Sequence, residues 1–256
     1  MQFPRGVLYP KRQEPHVQVA QHPPGAGLEA FAEYFWHVRW TVAEPYDTEV
    51  LNHPNVHLVF EEPRPLVYGV ERSRFVRRLS GTGQVLGLRF RPGGFRCLID
   101  GPVSALADRR TPAAEIFGPG IDALNATLLA SDDRVDLARD FLTPFLPGDP
   151  DPSAVHAAEI VHHITDNPGL FTVEDLAAKA GVSVRTLQRL FTEYVGATPK
   201  WVIRRARLHE AAARADSGTP VDWPALATDL GYADQSHLTR DFTTTIGKPP
   251  THYTST

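Results

Sequence analysis

The chain contains a single cysteine, Cys97. One thiol excludes an intrachain disulfide and any metal site built from several cysteines, and it fits a reducing compartment. Long apolar runs are missing. None approaches the ~18–20 residues that cross a bilayer, so no membrane partner is expected. The opening stretch MQFPRGVLYPKRQEP has no apolar core followed by small residues, so no secretory signal is expected and a cytoplasmic location is. A positive balance is also missing. The net charge is −4, so the whole chain does not advertise a nucleic-acid partner and local charge must be examined instead. What remains is ordinary globular material: 256 residues, 42% hydrophobic and 22% charged, enough for one large domain or two small ones.

The segment PFLPGDPDPS (144–153) holds four prolines in ten residues. Such a run neither continues a helix nor sits in a central strand, so it reads as a linker. Residues 1–143 precede it as a β-rich unit. VHLVFEE (56–62), PLVYGV (65–70) and QVLGLRFRPGGF (84–95) read as strands between turns. EAFAEYFWHVRW (29–40) reads as a strand with a short preceding helix. Toward the linker the period changes. Leu124, Leu128, Leu137 and Phe141 fall at helical spacing, with Asp132–Asp133 interrupting, so one or two helices close this unit. After the linker, residues 154–256 are helical throughout by pattern. The fold class expected is α+β in two domains.

The C-terminal half repeats itself. LAAKAGVSVRTLQRLFTEYVGATP (176–199) aligns with LATDLGYADQSHLTRDFTTTIGKPP (226–250). Leu176 matches Leu226, Ala177 matches Ala227 and Gly181 matches Gly231. The second copy then gains one residue. After it, Leu187 matches Leu238, Arg189 matches Arg240, Phe191 matches Phe242, Gly196 matches Gly247 and Pro199 matches Pro250. Each copy reads helix, glycine turn, helix. Ser183 and Asp234 are N-caps for the second helices, and Thr172 with Asp175 forms a capping box for the first. The expected units are helix-turn-helix 173–194, a linking helix 199–215 and helix-turn-helix 223–245.

The second helix of each unit is apolar on one face only. Leu187, Leu190, Phe191 and Tyr194 form the stripe in copy one, and Leu238 and Phe242 in copy two. Outward positions carry Arg185, Gln188, Arg189 and Thr192, then Gln235, Ser236, His237, Arg240 and Thr244. Such side chains donate to guanine O6/N7 or bond adenine N6/N7 in a major groove. The linking helix, at ~1.5 Å per residue, spans ~25 Å, a suitable strut for two helices about one DNA turn apart. Residues 185–214 carry seven Lys or Arg (185, 189, 200, 204, 205, 207, 214) against Glu193 and Glu210. A plain helical bundle with solvated faces is the bland alternative; a single amphipathic helix would fit it, but the repetition of one polar face in two units does not.

LAAKAGVSVRTLQRLF and GYADQSHLTRDFTTTIGKPPTHY (231–253) resemble the AraC/XylS family of bacterial transcription regulators, over the C-terminal ~100 residues. The resemblance implies a seven-helix module with two helix-turn-helix units on double-stranded promoter DNA. It places Arg185, Gln188, Arg189, Gln235, Ser236, His237 and Arg240 toward bases. Thr186, Thr192, Lys200, Arg204, Thr239, Thr244 and Lys248 stand as phosphate contacts. Trp223 and Pro224 occupy positions where the family usually has Ile or Val followed by Ala, so the entry to that helix is expected to differ. VLGLRFRPGGFRCLIDGPVSALADRRTPAAEIFG (85–118) resembles the β-rich domains fused to such regulators, commonly cupin-like barrels that sense a small-molecule effector, form a homodimer, or both. Activators of the family typically contact RNA polymerase.

Other residues invite chemistry. His53 and His57 in HPNVH, with Glu61 and Glu62, suggest a cupin metal site, but on a strand these histidines stand ~13 Å apart and no His-x-His is present. No metal or cofactor is therefore expected. A metal-dependent cupin enzyme joined to the DNA-binding module remains the alternative, and a ligand-free dimerisation domain a third reading. Arg89 and Arg91 share a face of a strand and are the candidates for an effector, read as an anion; surface arginines beside a turn are the competing reading. RPGGF lacks the Lys-Ser/Thr of a phosphate loop. Cys97 lacks the Pro-Cys-His-Arg motif of alkyl-transfer proteins, and the Leu98–Ile99 that follow suggest a buried thiol. His162–His163 read as surface or boundary residues. No catalytic residue is expected, and no enzyme.

Overall fold

The structure is a computed structural model and describes residues 4–169 and 172–253, so the outermost bounds expected for the two domains, residues 1 and 256, lie outside the described residues. The chain opens with helix α1 (Pro10–Gln13) and strands β1 (Val17–His22), β2 (Ala32–Leu51), β3 (His57–Phe60), β4 (Leu66–Tyr68), β5 (Arg74–Phe90) and β6 (Arg110–Pro112). The strands form one antiparallel sheet in the order β1-β2-β5-β3-β4-β6. The β-rich half is as expected, with three differences. β2 is preceded by a turn rather than a short helix and runs past the expected end at Trp40 to Leu51. β5 begins ten residues before the expected strand and stops at Phe90 rather than Phe95, and β1 and β6 carried no recognised signal. Within the described residues β1 and β6 do not pair, so the barrel-like expectation reduces to an open sheet curved around a cavity.

Period-2 alternation divides the two faces of the sheet. Phe35, Leu58, Phe60, Leu86 and Leu88 are fully buried on one face. They pack with α2 (Ala114–Phe117), α3 (Gly120–Ala130) and α4 (Arg134–Leu142) through Phe117, Ile121, Leu128, Ala138 and Leu142. Asp132 and Asp133 fall between α3 and α4, where the interruption was expected. The opposite face carries Trp36, Val38, Trp40, Val59 and Val85.

Seven helices follow among the described residues: α5 (Pro152–Asp166), α6 (Val173–Lys179), α7 (Val184–Leu190), α8 (Pro199–Asp216), α9 (Trp223–Asp229), α10 (Gln235–Ile246) and α11 (Pro250–Tyr253). The end of the Pro-rich segment starts α5, where Pro152 occupies the first turn and Asp151 caps Ser153 N–H at 2.7 Å. Two cores divide these helices. Ile160, Leu176, Leu187, Phe191 and Val202 form one; Leu208, Leu226, Leu238, Phe242 and Tyr253 form the other. The N-terminal segment joins the second. Leu8 and Tyr9 pack in it, and the Tyr9 ring stacks on Tyr253 at 4.4 Å.

Two side-chain expectations are corrected. Cys97 is exposed, because it sits in a single 3-10 turn, Arg96–Leu98, whose Leu98 and the adjoining Ile99 are themselves only half-buried. Arg91 lies just past the end of β5, exposed, and donates to the Glu29 carbonyl at 2.9 Å. It does not share a strand face with Arg89.

Candidate nucleic-acid interface

The two helix-turn-helix units are built by the same local devices. Thr172 and Asp175 form the reciprocal capping box at the start of α6. Asp222 caps α9, accepting from Ala225 N–H at 3.0 Å. Each first helix ends at a glycine with positive φ, +68° at Gly181 and +70° at Gly231, a conformation that side chains resist. Val182 N–H and Tyr232 N–H then reach back to the carbonyls of the matched Ala177 and Ala227, at 3.0 and 2.9 Å. Ser183 Oγ caps α7 through Thr186 N–H at 3.1 Å, and Asp234 caps α10 through His237 N–H at 2.8 Å. Leu187, Phe191, Leu238 and Phe242 are completely buried.

That anchoring decides which side chains remain outside. Arg185, Gln188 and Arg189 on α7 are exposed, as are Gln235, Ser236, His237 and Arg240 on α10. His237 lies edge-on to Tyr232 at 5.3 Å. Among the described residues, Arg185, Arg189 and Arg240 have no ion-pair partner, whereas Arg72, Arg77, Arg89, Arg96 and Arg110 are each matched with a carboxylate. Burying their hydrophobic stripes therefore leaves the two second helices with unpaired cations beside amide and hydroxyl groups.

Comparison with known proteins bears on this geometry. Residues 176–256 match a family described as a helix-turn-helix domain. The transcriptional activator NphR of a Rhodococcus species is 38% identical over 82 residues, which is 32% of this chain. Residues 176–256 form an AraC-type helix-turn-helix domain. The match spans only 24% of the length of NphR. Residues 20–112 match a domain of unknown function (DUF6597). Among solved structures, a transcriptional regulator of Chromobacterium violaceum with an AraC-type DNA-binding domain is similar at 23% identity and TM-score 0.37, covering 40% of this chain and 92% of its own. ToxT of Vibrio cholerae O395 is similar at 11% identity and TM-score 0.43, covering 94% of this chain and 98% of its own.

Within the AraC-type domain the other expected DNA contacts are placed unevenly. Lys200 is exposed at the start of α8. Thr192 and Thr244 are exposed, each donating to the carbonyl one turn back, Gln188 O at 2.9 Å and Arg240 O at 2.8 Å. Thr186 is half-buried against the Ser183 cap at 2.9 Å, and Thr239 is half-buried. Arg204 donates from Nε to Asp241 at 2.6 Å, tying the linking helix to α10. Lys248 sits over the Tyr9 ring at 5.1 Å, on the side covered by the N-terminal segment. Trp223 opens α9 buried, edge-on to Phe242 at 6.1 Å, and Pro224 occupies the first turn without cost.

Sequence reasoning missed how the AraC-type domain is held. α7 does not run on as α-helix; it passes into a π-helical turn, Phe191–Val195, closed by Gly196 N–H on Phe191 O at 2.9 Å. That turn faces the sheet domain. Arg96 Nε donates to Glu193 at 2.7 Å, and Tyr194 OH donates to Asp151 at 2.6 Å. At the matching end of α10, Arg74 donates to the Ile246 carbonyl at 2.7 Å. Between them, α8 is clamped along its length. Arg205 is buried, donates to the Arg72 carbonyl at 2.6 Å and lies 4.6 Å from the Trp201 ring; burial pushes its pKa down to about 10. His209 stacks on His53 at 3.8 Å, and both imidazoles are held well below the usual histidine range, chiefly by burial.

The metal hypothesis meets a different arrangement. His53 faces His209, while His57 on β3 accepts a hydrogen bond from Trp36 Nε1 at 3.1 Å. Glu61 is engaged by Tyr68 and Arg77. Among the described residues no three His, Cys, Asp or Glu side chains stand close enough to share a metal ion. His162 is exposed beside Asp166, and His163 is partly buried. No helix among the described residues is long and apolar enough to cross a membrane.

Proposed function

We propose that this chain is a sequence-specific transcription regulator whose α7 and α10 enter successive major grooves of promoter DNA. The single observation that carries the reading is the repetition of an unpaired, exposed Arg/Gln face on the second helix of two units capped at the same positions. Arg185, Gln188 and Arg189 read bases from the first unit; Gln235, Ser236, His237 and Arg240 read from the second. Lys200, Thr192 and Thr244, exposed beside those faces, hold phosphates. The sheet domain contacts the end of each unit and the linking helix, so it is positioned to set their spacing and to act as the sensor.

Genome-wide mapping of bound DNA, followed by footprinting on the recovered sites, tests this. The expected footprint covers two adjacent major grooves on one face of the duplex, and binding weakens steeply with salt. Protection of one groove only, or the same affinity for every sequence, would reject it.

A further inference from the structure

The face of the sheet turned away from α2–α4 surrounds a cavity of about 190 Å³. Strand alternation points Trp36, Val38 and Trp40 of β2 toward it, with Val59, Tyr68 and Val85 from neighbouring strands. Opposite Trp36 and Trp40 on β5 stand Gly87 and Gly83. A Cβ at Gly87 would lie 2.1 Å from the Trp36 ring, and one at Gly83 would lie 2.2 Å from the Trp40 ring. With no side chain at either glycine, the indoles pack directly on the β5 backbone, and the wall is aromatic and broad.

Charge in this wall is already matched. Arg89 Nε lies 2.8 Å from Glu33, Arg5 donates to Glu210 at 2.7 Å, Arg77 is paired with Glu61, and Glu71 accepts from Arg110 at 2.9 Å. A charged ligand would have to break one of these pairs or lose its water without a counter-ion, either of which is costly. The two imidazoles in the wall add no charge near neutral pH, since burial brings the His57 pKa down to about 3 and holds His53 well below its ordinary value.

One neutral directed group is left; the Arg89 Nε, which makes no hydrogen bond of its own, is held within the Glu33 ion pair. His57 Nδ1 accepts from Trp36 Nε1, so the neutral ring carries its proton on Nε2. Nε2 has no hydrogen-bond partner among the described residues, and the ring lines the cavity. An aromatic wall, balanced charge and one fixed neutral N–H donor define a narrow chemistry.

We propose that this cavity binds an uncharged, flat aromatic compound whose single hydrogen-bond acceptor is engaged by His57 Nε2. This rests on the sensor role given above to the sheet domain, and it replaces the anionic effector expected from Arg89. Three groups at the cavity also touch the linking helix: Arg5 pairs with Glu210, His53 stacks on His209, and the Asn52 carbonyl lies 3.4 Å from His209 Nε2. Occupancy is thereby communicated to α8, between the two recognition helices.

Calorimetric titration of the full chain at neutral pH with quinoline, naphthalene and 2-naphthoate tests the proposal. Quinoline is uncharged and carries one acceptor; naphthalene has the shape without the acceptor; 2-naphthoate adds an anion. Quinoline and naphthalene are expected to bind, and 2-naphthoate at least about tenfold more weakly, reflecting the cost of burying its charge. His57→Phe should weaken quinoline roughly fivefold, the worth of one hydrogen bond, and leave naphthalene unchanged. Anion binding as tight as quinoline, or no binding by either neutral probe, overturns the proposal from the unsubstituted protein alone. An equal effect of His57→Phe on both neutral probes overturns the assigned donor. DNA is absent from the assay, so a failure here is separable from a failure to read promoters.

Discussion

Acid should loosen the joint between the sheet domain and α8, and His209 is the residue through which to measure it. His209 is 3% exposed, stacked on His53, and flanked by the charges of Arg205 and Arg5. Burial, then the Arg205 charge, holds its folded pKa well below the ordinary 6.5. The sign follows directly. Above 6.5 the ring is neutral in both states and the joint has its full stability. As pH falls below 6.5 the unfolded chain takes up a proton that the folded chain refuses, and stability is lost until the folded value is reached. Each such histidine costs at most about 1.4 kcal/mol per pH unit in that window. His53, His57 and His37 are shifted in the same direction, so the protein as a whole has a steeper dependence. A His209→Gln variant removes this contribution, together with the part of the His53 shift that His209 causes. Urea unfolding monitored by tryptophan fluorescence at several pH values should show the variant losing less stability than the parent as pH falls below 6.5, by at most about 1.4 kcal/mol per pH unit. Parallel stability curves would refute the argument, because they would mean that water reaches His209 and that the stack is not a dry contact.

Three further outcomes are expected. Arg240→Ala should cost about 1–3 kcal/mol and blur discrimination at one base pair in binding selections; a uniform loss across all sequences would make Arg240 a phosphate contact. Asp234→Ala removes the oxygen that accepts His237 N–H and should destabilise the second unit by about 1 kcal/mol, read as faster amide exchange in the first turn of α10. Gly87→Ala places a methyl against the Trp36 indole and should cost about 1–3 kcal/mol through overpacking, with loss of the Trp36–His57 hydrogen bond visible as a shifted indole N–H resonance; an unmoved resonance would show that β5 gives way instead.

The repeat made the second helices of the two units legible because everything that defines them is local. A cap needs one oxygen three residues from its N–H, a turn needs one glycine at positive φ, and burial of Leu187 and Phe191 turns Arg185, Gln188 and Arg189 outward by helical geometry. Trp36, Val38 and Trp40 also alternate in the sequence, and that alternation was a readable sign of a common face. Its significance was hidden, because only pairing with β5 brings Gly87 and Gly83 opposite the two indoles. Cys97 misled for the opposite reason. Its apolar neighbours suggested a core position, but Leu98 and Ile99 turn toward the core while Cys97 is left exposed. Arg89 and Arg91 were paired by period-2 reasoning that required β5 to continue one residue further than it does.

By itself, the sequence determined the two-part division, the helix-turn-helix units with their caps and glycine turns, and the polar side chains that face outward from α7 and α10. All of these follow from interactions within a few residues. Tertiary structure alone decided that Leu8 and Tyr9 pack in the second C-terminal core, that His53 meets His209, and that Glu33 neutralises Arg89. Those contacts join segments as far as 244 residues apart, as in the Tyr253 hydroxyl that accepts from Tyr9 N–H. No local periodicity encodes such meetings; they exist only once the sheet has curved and the linking helix has settled against it.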